Sequence, residues 1–140
     1  MALFQELNHI ITSKNNLMEI LNSFFLHQLY PEGFDFQNSF IRDIHFNSDS
    51  PSIFVFFHSS NFPNTPPSKW FKDSNHVKVE IEFNEVSNLY FEGWGIKNII
   101  NFSCEKENDT YNVKMEGEEC IIRFTTKWIF FKSISGYPLY

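Results

Sequence analysis

The stretch HVKVEIEF at residues 76–83 sets Val77, Val79, Ile81 and Phe83 in alternation with Lys78, Glu80 and Glu82. Successive side chains of a strand point to opposite faces, so this spacing makes one apolar face and one wet face, and a sheet is what can use it. The same period recurs along the chain. Residues 40–46 and 53–57 are predicted strands joined by Asn47-Ser48-Asp49-Ser50-Pro51, a turn by composition. The second of them reads IFVFF, apolar on both faces, which predicts a central strand or one covered by a helix. Further strands are predicted over 88–92, 98–104, 110–116, 119–125 and 128–134, with Gly117 at a turn. Eight short strands at intervals of about ten residues predict a mainly β, α+β fold, an antiparallel β-sandwich or strongly curled sheet.

One or two N-terminal helices are expected ahead of that sheet. Leu17, Ile20, Leu21, Phe24 and Phe25 recur at helical spacing, with Ser13 as a candidate N-cap, and Leu3, Leu7, Ile10 and Ile11 keep similar spacing upstream. Pro31 and Gly33 close the helical segment, which is expected to span about 3–29. The β region then runs over about 34–137, and 1–140 reads as a single domain without internal repeats. A chain of this length buries roughly two-thirds of its unfolded surface and needs no metal or disulfide to hold a core. Eighteen Phe, three Trp and five Tyr would dominate that core, a composition better suited to sheets than to helices.

Charge narrows the function classes. A net charge of −6 argues against nucleic acid as a partner, because a nucleic-acid module needs a basic face to displace counterions from phosphates. It argues equally against an anionic membrane surface. The start MALFQELNHIITSK lacks the basic residues of a signal peptide and carries Glu6 within its apolar window, and no apolar run approaches the ~18 residues of a membrane span. A cytoplasmic protein is expected, with Cys104 and Cys120 as two buried thiols.

Reactive constellations are scarce, and no enzyme, metal or cofactor is expected. The five histidines lack metal-ligand spacing; His45 and His58 could meet across neighbouring strands, where a hairpin pair is the simpler reading. Cys104 would need a lowered pKa to act as a nucleophile, and its neighbours Glu105 and Glu107 push the other way. The glycines of EGWG are followed by no helix N-terminus and make no phosphate loop. Carboxylates say more. Glu80 and Glu82 share one side of a strand with Glu85 and Glu92 near in sequence, while Glu116, Glu118 and Glu119 crowd a hairpin tip beside Glu105, Glu107 and Asp109. Such groups either solvate the edges of a Phe-rich sheet or form an acidic patch for a cationic partner.

Residues 61–70 read NFPNTPPSKW, with three of the six prolines. Proline cannot donate to a strand ladder, so this segment leaves the sheet; Pro66 and Pro67 stiffen it, and Trp70 is large enough to plug one open end of a sandwich core. FPNTPPSKW, then HVKVEIEF, then NLYFEGW, with WIFFKSISGY near the end, resembles the Immunity protein 50 family of bacterial polymorphic toxin systems over about 34–137. Pro66, Pro67, Trp70, Gly93 and Trp94 carry over as motif positions of the fold. The resemblance implies a mostly β protein that binds and neutralises a cognate toxin C-terminal domain by occluding its active site or substrate surface. An acidic protein would suit a nuclease toxin with a basic cleft. Glu80, Glu82, Glu85 and Glu92 are the expected charged contacts. Exposed Phe on an edge strand would serve either that contact or a homodimer. The competing reading is a β-barrel carrier closed around a small apolar ligand.

Overall fold

A computed structural model describes residues 9–13 and 16–140, with side chains from Met18 onward. Eight antiparallel strands form the body: β3 (Ser39–Asn47), β4 (Ser52–Ser59), β5 (His76–Asn84), β6 (Ser87–Glu92), β7 (Ile99–Glu107), β8 (Thr110–Glu116), β9 (Ile121–Thr126) and β10 (Trp128–Tyr137). Their order is β10-β5-β4-β3-β7-β8-β9-β6. β3 and β7 touch through only two residue pairs, Ser39 with Ile100 and Phe40 with Ile99, so the sheet bends there and its halves turn their apolar faces inward. Phe83 of β5 then meets Phe124 of β9 at 5.0 Å between ring centroids, and Phe57 of β4 meets Phe102 of β7 at 5.8 Å. This is the strongly curled antiparallel sheet that the alternation predicts. Every second residue of β5, from Val77 to Phe83, is buried, and β4 is central as the doubly apolar IFVFF requires.

Chain crossings between the halves meet at one corner. Asn84 accepts from the Lys127 amide (3.1 Å) and the Thr126 hydroxyl (2.6 Å), tying the end of β5 to the β9–β10 junction. The β8–β9 and β7–β8 turns lie at opposite ends of β8, so Glu116, Glu118 and Glu119 are separated from Glu105, Glu107 and Asp109 by its seven residues instead of sharing a tip with them.

The N-terminal segment departs from the predicted helix. Asn16–Glu19 forms β2, paired with β1 (His9–Ser13), and Leu21 makes a bridge to Phe130 of β10; Leu3 and Leu7 lie outside the described residues. Among the described residues helix is confined to α1 (Phe24–Leu29), which starts after Ser23, while Ser13 lies in β1. The apolar residues admit both periods: Met18 and Ile20 are buried on either side of Glu19, as a strand requires. The edge of β10 decides between them by supplying backbone partners, Leu21 N to Ile129 O at 2.8 Å and Phe131 N to Leu21 O at 2.9 Å. Asn22 then turns to φ 59, a left-handed conformation that a helix through Phe25 would not contain.

An aromatic column fills the interior. Tyr30, Phe34, Phe36 and Phe57 follow one another edge to face at 4.8–4.9 Å, and Phe36 also meets Phe102 at 5.2 Å. Phe34 and Phe36 come from the connection between α1 and β3, held at β7 because the Gln37 side chain both donates to the Phe102 carbonyl and accepts from its amide. Trp70 closes one end, its ring against Phe62 (5.8 Å) and flat on Gly136, where a Cβ would stand 2.3 Å from the indole. The carrier reading fares poorly: β10 and β6, the two ends of the strand order, do not pair with each other to close a barrel, and Phe side chains fill the interior.

Candidate protein-binding surface

Cross-strand register fixes where each candidate side chain sits. Glu80 and Glu82 lie on the outer face of β5 between β4 and β10; Glu82 meets the Lys132 ammonium at 3.5 Å and accepts from Asn84 at 2.8 Å, and Glu80 accepts from the Ser133 hydroxyl at 3.2 Å. Lys132 is the extra residue of a β-bulge, which aims it at that row. Glu85 stands on the β5–β6 turn at φ 52, and Glu92 ends β6 at the far end of the strand order. The register therefore sets Glu80 and Glu82 on one face of β5 and leaves Glu85 on the turn before β6 and Glu92 at its end.

His45 and His58 do not meet. His45 lies opposite Phe54 and His58 opposite Phe40, on which its ring stacks at 4.9 Å. His58 Nδ1 and the Tyr137 hydroxyl share a hydrogen bond at 2.7 Å, and burial, with Arg42, Lys78 and His76 outweighing Asp43, pushes the imidazole down to about 4. The unfolded chain, with an ordinary histidine, therefore binds the extra proton first as pH falls. This contribution to stability is complete above about pH 6.5, declines through the window below it, and is gone below about pH 4. Allowing for partial solvent access, it is worth on the order of 2 kcal/mol. Urea midpoints of the wild type and His58→Gln at pH 7 and pH 4.5 check it: the wild type should lose more stability between the two than the variant.

Cys104 and Cys120 are both free and buried, and burial together with Glu105 pushes the Cys104 thiol up to about 12, an inert thiol at neutral pH. Among the described residues no group of three or more His, Cys, Asp or Glu could hold a metal ion, and no helix is long and apolar enough to cross a membrane.

What stands out is an exposed aromatic rim that the sequence reading did not find. All six residues of β6 are exposed. Phe91 on it touches Phe46 of β3 (6.0 Å) and Trp94 (5.9 Å), and the three rings are 37 %, 51 % and 45 % exposed. Leu89 on the same strand is also exposed, Ile96 on the loop after Trp94 is 93 % exposed, and Tyr90 faces the other side of the strand under Arg123. Lone exposed apolar residues are ordinary, but a contiguous group of this kind marks a contact surface.

The loop carrying Trp94 and Ile96 is firmly held. The Glu119 carboxylate accepts from three successive backbone amides, Ile96 (2.8 Å), Lys97 (3.2 Å) and Asn98 (3.3 Å), and those bonds hold its pKa below the usual range. Asn98, buried at φ 50, accepts from the Gly95 amide (2.7 Å) and donates to the Gly95 and Ile41 carbonyls. Gly93 is needed at φ 74, where a Cβ would lie 2.5 Å from the Glu119 carbonyl oxygen. Gly93 is thus a fold position, whereas Trp94 is presented by the fold. Only the apolar run LYF followed by G-W-G-I could have signalled this, and strand periodicity hides it, because an edge strand reads like a core strand.

The fold is a curled antiparallel β scaffold with a fixed, exposed aromatic rim. The profile of the family described as Immunity protein 50 matches residues 22–137, and the chain belongs to that family. No curated protein and no solved structure gives a match.

Proposed function

We propose that the protein binds a cognate bacterial toxin domain and neutralises it by covering its active site or substrate surface. Family membership supports a protein partner, and the observation that carries the reading is the Phe46–Phe91–Trp94 rim, two rings on strands and Trp94 on an anchored loop. Preformed aromatic anchors lose little entropy on binding and are the residue types that dominate protein interfaces. The net charge of −6 suits a toxin with a cationic surface, such as a nuclease cleft, and speeds encounter with it. Glu80 and Glu82 supply part of that field from β5, with Glu85 and Glu92 nearer the rim.

The test is calorimetry and stopped-flow association with the cognate toxin domain. Phe91→Ala and Trp94→Ala should each weaken binding by about 2 kcal/mol, close to thirtyfold, with folding retained. Charge reversal of Glu80, Glu82, Glu85 and Glu92 together should slow association about tenfold at low salt. Unchanged affinity in both aromatic variants would place the contact elsewhere, and unchanged rates in the reversed variant would remove the acidic residues from it.

A further inference from the structure

The two ends of the strand order are finished differently. β10 is met along part of its outer edge by Leu21, which takes up the backbone groups of Ile129 and Phe131. β6 pairs with β9 on one side, and among the described residues no strand pairs with its other side. An unpaired edge exposes a row of backbone donors and acceptors, and proteins ordinarily guard it with Lys, Pro or a bulge. In Ser87–Glu92 there is neither Lys nor Pro. The one irregularity, between Ser87 and Tyr90 with Asn88 at φ 56, leaves Tyr90–Glu92 in regular register. Beside the edge lies a groove of about 340 Å³ lined by Phe46, Pro51, Ile53, Val86 and Leu89. Glu85 and Glu92 bracket the strand. Arg123 on neighbouring β9 is engaged by Glu116 at 3.1 Å and stacks over Tyr90, so it offsets little of that negative charge.

We propose that the partner contributes an extended segment that adds to the free edge of β6 as a further antiparallel or parallel strand. An apolar side chain of that segment enters the groove beside Leu89, and a basic residue meets Glu92 or Glu85. Main-chain bonds along the edge would supply affinity, while the groove and the carboxylates select sequence. The occupant is a toxin segment and not a second copy of this chain, because two copies would bring like charge to the same edge, whereas a cationic segment complements it. The inference rests on the toxin-binding reading and specifies its geometry.

Amide hydrogen exchange of the full chain, free and in complex with the cognate toxin domain, tests it. Outward-facing amides of Leu89–Glu92 should exchange fast in the free protein and at least tenfold more slowly in the complex. A complex that forms while those amides keep their free rates overturns strand addition and leaves toxin binding standing. Amides already slowed in the free protein in a concentration-dependent way assign the edge to a second copy and overturn the proposal. Absence of any complex overturns both the proposal and the reading beneath it.

Discussion

Phe36→Ala is expected to remove about 3–5 kcal/mol of folding stability. Phe36 is fully buried and meets Phe34, Phe57 and Phe102 at 4.8 to 5.2 Å, so it joins the α1–β3 connection to both halves of the sheet. Alanine would leave an apolar void between strands whose backbones are fixed by their own ladders and cannot close it, so the lost contacts add to the transfer term. Urea denaturation checks this: the midpoint should fall with the slope unchanged. Phe71→Ala, at a residue 75 % exposed, is the control and should stay within about 0.5 kcal/mol. A loss under about 1 kcal/mol at Phe36 would mean that residues 34–36 do not fill the core.

Gly93→Ala is expected to cost about 2–4 kcal/mol and to weaken partner binding as well. The left-handed backbone at φ 74 disfavours any L side chain by about 1–2 kcal/mol. The new Cβ would also stand 2.5 Å from the Glu119 carbonyl oxygen, a main-chain atom held in the β8–β9 turn. Relief requires moving either Trp94 or Glu119, and both belong to the rim or its anchor. Gly95→Ala makes the informative contrast. Its Cβ would collide with the Glu119 carboxyl, which can swing away, and would stand 2.8 Å from the Glu119 Cβ, which needs only a small backbone shift, so stability should fall less than at Gly93 while the amides of Ile96, Lys97 and Asn98 lose their carboxylate. Melting temperature and toxin affinity measured on both variants separate the two effects. Equal, negligible changes in both variants would show that the loop is not fixed as described.

The expected site was legible only in part. Alternation in HVKVEIEF placed Glu80 and Glu82 on one outer face, and the register agrees. Sequence proximity brought Glu85 and Glu92 into the same group, but a turn and a change of strand intervene, and nearness along a chain says little once it crosses between halves of a sheet. Trp70 packs against Gly136 as a plug should, whereas Trp94, a motif position of the same apparent kind, is displayed to solvent.

The sequence by itself determined the eight strands of the main sheet, because period two is a local property of backbone geometry and each predicted strand overlaps an observed one to within a few residues at its ends. It also determined that two thiols would be buried and that NFPNTPPSKW would leave the sheet. Only the tertiary structure decided that Asn16–Glu19 pairs as a strand, that Phe34 and Phe36 of a connecting segment enter the core, and that among the described residues no strand pairs with the outer side of β6. Each of those outcomes depends on which distant backbone offers its hydrogen bonds, and a residue's own neighbours in the chain carry no record of that choice.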